Sequence, residues 1–352
     1  MNAGRLTLPL LLLAACGYPH SVSRSAGAGT PAAAPSALPA TLLYGGTDAR
    51  EASADQGGNV WIATGSGVRV FPADGGAPIG HDADAGLPDD DVSCVTGGVA
   101  GQALVGFGPQ LQMGTSQIDL LTLAGGAVTG APKSFNLTGE IVEANHIAYD
   151  PARHQYWIGT NEGISMLSAA GDAIEHRHPV HPHGVTLGLA ITPGGDVWDG
   201  DQFQLSRLNA GPQADFDATF DPVLRPWVQS GQDISGVAID GAGDVWVGSL
   251  DRGLAKLEPS TFTVQLFGLA AGLPSLSVQS LALDPDGSLW VATDSGLGRF
   301  VPSSGNWTVF RAAAPGSELP SDDVLDVTID SSQSPRRVIL TTAQGVVAYS
   351  GS

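Results

Sequence analysis

The sequence predicts an all-β fold, a seven-bladed β-propeller with four antiparallel strands per blade. Three observations predict it. Six stretches of the chain are near-copies of one another, and a seventh is a weakened copy. The copies recur at spacings of 41 to 53 residues, the range of propellers and other repeat arrays. The segment around the clearest copy divides into four short strands separated by turn residues.

The aromatic position of the repeat reads Trp61, Leu104, Trp157, Trp198, Trp246, Trp290 and Ile339. The clearest copy is DGSLWVATDSGLGRF (286–300), and the weakened one is GQALVGFG (101–108).

The chain begins with a segment outside this pattern. Arg5 precedes the apolar run LTLPLLLLAA, which ends at Cys16. That run has the size of a signal-peptide core and is too short to span a bilayer. Leu13-Ala14-Ala15-Cys16 resembles the lipobox of bacterial lipoproteins, which implies that Cys16 is the lipidated residue and that 1–16 is a signal peptide. The alternative is an ordinary secretory signal in which Cys16 is incidental. The lipobox is favoured because the cysteine sits directly at the end of the apolar run. Residues 17–39 are rich in Ala, Pro, Ser and Gly and read as a flexible tether.

Residues 40–352 carry the repeats. One blade can be read at 276–311. LSVQSLALD alternates, PDG turns, and SLWVAT is a nearly continuous apolar run expected of a strand buried on both faces. DSG turns again, LGRFVP alternates, and NWTVFRA follows after another turn. Small residues mark the innermost strands: EASAD (51–55), SCVTGG (93–98), HIAYD (146–150), LGLAIT (187–192), SGVAID (235–240), SLALD (280–284) and LDVTID (325–330). Asp55, Asp150, Asp240, Asp284 and Asp330 end five of them. Such an Asp hydrogen-bonds the backbone of the following turn, a role favoured here over calcium binding. The repeating Trp is expected to pack one blade against the next. The last repeat offers only three strands, so ATLLYG (40–45) is expected to supply the fourth and close the ring.

These residues resemble the two-component regulator propeller repeat. GLPDDDV (86–92), GLPSLSV (272–278) and ELPSDDV (318–324) match its GLP-x-x-x-V part. DPDGSLWVATDSGLGRF and DGAGDVWVGSLDRGL match its D-x-x-G-x-L-W-I-G-T-x-x-G-L part. In that family, arrays of such repeats form the periplasmic sensing part of hybrid histidine kinases, followed by a transmembrane helix and signalling domains. This sequence ends at Ser352 without them, so autonomous signalling is not expected. The repeat is more distantly similar to streptogramin lyase, whose catalysis relies on His, Glu and magnesium in the central cavity. No residues carry over from it one by one.

Net charge is −20, from 35 acidic and 15 basic residues. This makes nucleic acid and anionic surfaces poor partners by direct charge. Enzyme signatures such as G-x-S-x-G, H-E-x-x-H and the phosphate loop are missing.

Chemistry is expected where the repeat breaks. The connections from outer to inner strands should reach the central mouth, and they bring Asp90, Asp91, Asp322 and Asp323 there. A divalent cation with oxygen ligands is one reading of these acids. Solvated loop carboxylates are the plainer and favoured one. Five of eight histidines lie between 154 and 183, with His181 and His183 in a connection, either a metal-binding tract or an exposed polar edge. In blade four, Asp199 and Asp201 stand where its relatives read apolar or hydroxyl residues.

The expected function is ligand or protein binding at the central face, without catalysis, in an exported protein anchored through Cys16 at the outer membrane or the periplasmic face of the envelope. The alternative is a metal-dependent lyase or lactonase at the same mouth.

Overall fold

A computed structural model describes residues 35–107, 117–128, 133–136, 144–160, 163–168, 174–177, 185–201, 204–208, 216–219 and 234–351. Among them the chain forms seven antiparallel sheets, six of four strands and one of five. The fifth strand is Ala127–Val128, which extends blade two. No helix of the described residues is long and apolar enough to cross a membrane.

The innermost strands are Ala49–Ala54, Val92–Gly97, Ala144–Asp150, Gly188–Ile191, Ile234–Ile239, Val278–Leu283 and Val324–Asp330. Each packs against the next, and the seventh packs against the first, so the ring is closed. Small residues are needed for this approach. A Cβ on Gly97 would meet the backbone oxygen of Ala54 at 2.3 Å.

The second strand of each blade is buried along nearly its whole length, as its apolar run requires. Alternation then divides its side chains between two neighbours. Trp61 faces forward, onto Val92, Val95 and Val105 of blade two. Val60 and Ile62 face back, onto Ile339 and Val346 of blade seven. The core is therefore seven clusters, one at each interface between blades.

The Asp that ends an inner strand holds its blade together. Asp284 accepts the indole N–H of Trp290 at 3.1 Å and the backbone N–H of Asp286 at 3.2 Å. Asp55 does the same for Trp61 at 2.9 Å and for Gly57 at 2.8 Å. Asp240 repeats the pattern with Trp246 at 3.1 Å and Ala242 at 2.9 Å. In blade seven, where Ile339 replaces the Trp, the Arg337 guanidinium takes the vacated carboxylate oxygen at 2.6 Å. The turn role expected of these acids is what the structure shows.

The N-terminal strand Thr41–Tyr44 lies outermost in blade seven, paired with Gly345–Tyr349. This is the closure expected of ATLLYG. The contact begins upstream of residue 40. Ser36 donates to the Val309 carbonyl at 2.7 Å, and Leu38 is fully buried in the cluster between blades six and seven.

The GLP-x-x-x-V connections are built alike. Leu87, Leu273 and Leu319 are buried, as are Val92, Val278 and Val324. Between these anchors, Asp89, Ser275 and Ser321 each accept a backbone N–H from two residues on, at 2.9 to 3.1 Å.

Trp290→Ala is expected to destabilise the fold by about 3–5 kcal/mol in urea unfolding. Asp284→Ala is expected to cost about 1–3 kcal/mol, because it leaves the buried indole N–H unpaired. A loss below about 1 kcal/mol for Trp290→Ala would show that inter-blade packing does not carry the stability.

Candidate functional site

The seven inner strands carry the site residues. In six of them the ladder slips at one and the same place, between the first buried residue and the residue two on: Ala49/Glu51, Val92/Cys94, Ala144/His146, Ile234/Gly236, Val278/Ser280 and Val324/Asp326. A bulge re-aims the side chain beside it. The residue after the slip is thus presented at one level of the ring. Blade four places Gly188 there, opposite Gly200, the counterpart of Gly159 and Gly248.

Read round the ring, that level is Glu51, Cys94, His146, Gly188, Gly236, Ser280 and Asp326. Its chemistry is one-sided. Ser280 donates to Asp326 at 2.7 Å. Glu51 accepts the Val95 N–H of blade two at 3.0 Å, and its other oxygen lies 4.0 Å from Nδ1 of His146 in blade three. To touch both, the Glu51 side chain must lie over the inner strands, on the axis side. It is 14% exposed and His146 is 31% exposed, so both are largely withdrawn from solvent without being sealed off. Cys94 contributes a weak thiol contact to the Ala144 carbonyl at 3.8 Å.

Electrostatics follow from crowding acids on a closed ring. Burial pushes the Glu51 carboxyl well above the usual carboxylate range, and the nearby Asp326 and Cys94 push it further. Burial also raises Asp326, against the pull of the Ser280 hydroxyl and neighbouring backbone N–H groups. The two carboxyls resist being charged together. Burial pushes His146 down to about 4, so its imidazole is neutral at neutral pH.

Neighbouring positions stitch the inner strands. Gly97 donates to Ser53 at 3.1 Å, Thr96 to the Ile147 carbonyl at 2.8 Å, and Ser235 to the Val278 carbonyl at 2.5 Å.

The acids singled out in the sequence are placed elsewhere. Asp90 accepts the Ala83 N–H at 2.7 Å, and Asp322 accepts the Ala312 N–H at 2.7 Å, equivalent corners of different blades. Asp91 pairs with Arg50, an ion pair that joins blade one to the connection entering blade two. Asp323 is half-buried next to Asp322. Asp201 takes the place of the turn-capping Thr of other blades: its carboxylate accepts the Gln204 N–H at 2.7 Å. Asp199 takes the place of Ile62, Val247 and Val291 and is fully buried. The structure brings Asp199 and Asp201 together, and leaves them apart from the connection acids. Cys16, His181 and His183 lie outside the described residues. Among those described, no group of three or more His, Cys, Asp or Glu is arranged to hold a metal.

Glu51, His146 and Asp326 were not among the expected site residues. The signal was present: each is a large or charged residue on an inner strand, at a position where other blades have Gly, Ser or Cys. A second concavity of about 280 Å³ opens between blades five and six, lined by Trp246, Lys256, Phe300 and Trp307. Its walls are inter-blade packing residues, with Lys256 lying over Trp246 at 5.3 Å.

Comparison with known proteins fits this architecture. The two component regulator propeller family model matches residues 272–295, the sixth blade's connection, inner strand and Trp strand. No curated protein sequence matches the chain significantly. The extracellular domain of a hybrid two component system from B. thetaiotaomicron aligns with TM-score 0.65 at 16% identity, over 88% of this chain and 39% of that one. Virginiamycin B lyase from Staphylococcus aureus aligns with TM-score 0.66 at 13% identity, over 88% of this chain and 96% of that one. YCF48 bound to D1 peptide aligns with TM-score 0.63 at 14% identity, over 92% and 98%. This chain spans about two fifths of the length of that two component system domain. At these identities the likeness shows the fold alone.

Asp199 generates a pH prediction. Burial, then the Asp201 carboxylate, pushes its carboxyl up to about 8, against the pull of the Thr186 hydroxyl. Neither carboxyl oxygen makes a well-formed hydrogen bond. In the unfolded chain an Asp ionises near pH 4. Folding therefore holds a proton that the unfolded chain releases, and stability falls as pH rises from about 4 to about 8. Asp199→Val, which restores the residue type of blades five and six, is expected to stabilise the fold by about 1–3 kcal/mol at pH 8 and by less at pH 4. Equal gains at both pH values in urea unfolding would refute the assignment.

Proposed function

We propose that this chain is an exported, lipid-anchored binding module that takes its ligand in the central channel, serving as a sensor or scaffold component without turnover. One observation carries the reading: Glu51, His146, Ser280 and Asp326, from four blades, meet at one level of the ring, after the same slip in each inner strand. A propeller ring needs only small residues there, so polar and titratable ones are surplus to the fold's requirement. The sensor-type extracellular domain of the same fold supports recognition as the task. The apolar run before Cys16 supports export and anchoring.

A second reading, a lyase or lactonase at the same channel, is favoured by one observation. Glu51, held toward its protonated form, lies 4.0 Å from the neutral imidazole of His146, a pairing of the kind used in acid–base chemistry.

A thermal-shift screen of saccharides, amino acids, amines and short peptides tests the channel. Ligands that raise the melting temperature of the wild type are expected to leave Ser280→Phe, which fills the ring, unshifted. Equal shifts in both proteins would place the site elsewhere. Turnover of a ligand that depends on both Glu51 and His146 would establish the second reading. For the anchor, wild-type cells grown with an alkyne fatty acid are expected to label the protein and retain it in membranes. Cys16→Ser is expected to lose both properties. A membrane-bound, unlabelled wild type would overturn the anchor.

A further inference from the structure

Two neighbouring wedges between blades are built alike and filled differently. Between blades five and six, about 280 Å³ lies open against Trp246, Phe267, Ala271, Phe300 and Trp307. Between blades six and seven, Trp290, Phe310 and Tyr349 stand at the positions of Trp246, Phe267 and Phe300 in the ladder. The rings keep the same spacing. Trp246 lies 5.3 Å from Phe267 and 5.7 Å from Phe300, and Trp290 lies 5.7 Å from Phe310 and 5.8 Å from Tyr349. The second wedge is filled by Leu38, which is fully buried in one cluster with Trp290 and Phe310.

Leu38 arrives on an extended segment. Ser36 adds to the rim of blade six and donates to the Val309 carbonyl at 2.7 Å. Leu38 donates to the Ser317 hydroxyl at 3.3 Å, and its carbonyl accepts the Glu318 N–H at 2.8 Å. The first wedge offers counterparts. The rim strand of blade five, Thr263–Phe267, is an outermost strand with exposed residues. Ala271 and Gly272 precede Leu-Pro as Ser317 and Glu318 do. Trp307 fills part of this wedge, where the residue beside Tyr349 is Ala40, and it brings a donor of its own. The ring edge that carries its N–H lies over Gly272, and the buried Nε1 finds no acceptor among the described residues. A buried donor without a partner is costly, and an entering backbone carbonyl supplies one.

Charge and size narrow the occupant. Lys256 in the wall is answered by Asp244 at 2.6 Å and Asp240 at 3.5 Å. Residues 259–283, which run along the rim and into blade six, carry no charged side chain. The space lies below the roughly 300–1,000 Å³ of small-molecule sites and suits one inserted side chain.

We propose that the cleft between blades five and six docks an extended, uncharged segment of a partner protein. The segment adds along the rim of blade five, inserts a leucine-sized apolar side chain beside Phe267 and Phe300, and gives a carbonyl to the Trp307 indole. Leu38 shows the same mode within the chain. This site is separate from the central channel and does not depend on it.

Calorimetry and a ¹H–¹⁵N spectrum of the full chain test the proposal with the peptide acetyl-PSALPA-amide, the sequence of residues 35–40. A Kd of about 1 mM or tighter is expected. The same peptide with Asp in place of Leu is expected to bind at least about tenfold more weakly, because the buried leucine is lost. The Trp307 indole N–H resonance of the wild type is expected to move downfield as the leucine peptide is added. Ala271→Phe, which sets a ring across the cleft, is expected to weaken binding at least about tenfold. The peptide comparison and the resonance are read on the wild type alone, so they decide the matter even where the variant fails to fold. No binding of the leucine peptide, or equal binding of the two peptides, overturns the proposal. Binding that leaves the Trp307 resonance unmoved is exchange with the chain's own residues 36–38 at the next wedge, and it overturns the proposal as well. Unchanged binding to folded Ala271→Phe does the same.

Discussion

The rest of the structure depends on one carboxylate in each of five blades, set where the inner strand ends. In blades one, five and six it gathers the turn N–H groups with one oxygen and the indole N–H with the other. That pair of bonds fixes how the inner strand hands over to the second strand. It also fixes the direction of the Trp, which points to the next blade. A basic residue of the third strand then covers the ring's face: Arg299 lies over Trp290 at 5.4 Å and Lys256 over Trp246 at 5.3 Å. The same carboxylate thus orders a turn, aims a large side chain and sets the wedge that the neighbouring blade must match. No blade has a core of its own, so the wedge is satisfied only when all seven close.

What was legible in the sequence follows from this repetition. A position that meets the same surroundings seven times leaves the same residue type each time. The blade count, the inner strands, the role of Asp284 and its relatives, and the closing strand Thr41–Tyr44 were all readable for that reason. The ring site was not readable in the same way. Glu51, His146 and Asp326 stand far apart in the chain and meet only because the ring closes. No local pattern announces such a meeting. The connection acids drew notice because they cluster in sequence. In the structure Asp90 and Asp322 each secure a backbone N–H, and Asp91 secures Arg50. Clustering along the chain and convergence in space are separate properties, and a propeller keeps them apart.

Breaks in the repeat also divide into two kinds. Some are compensated within the blade. Arg337 supplies the donor that Ile339 lacks, and Asp201 caps the turn that a Thr caps elsewhere. These keep the local bonds and need no ligand to account for them. Asp199 is a different case: it replaces a core Ile or Val, and neither of its oxygens makes a well-formed hydrogen bond in return. Its cost is borne at the interface of blades three and four, away from the ring of inner strands.

The ring residues belong to neither kind, and this is the strongest argument that they serve recognition. Glu51 and Asp326 do mend the ring, since each accepts a hydrogen bond from an adjoining blade. A Ser or Thr hydroxyl also ties one inner strand to the next, Ser53 by accepting and Thr96 and Ser235 by donating, at other places on the same strands. At Glu51 the carboxylate adds a second oxygen and a charge that the stitching does not use, whereas at Asp326 it also accepts the backbone N–H groups of Val327 and Ala52. Burial makes that charge expensive, and placing two on adjacent inner strands makes it more so. A stability argument alone would replace both with hydroxyls. Their presence beside a neutral His146 is what the proposed binding role accounts for.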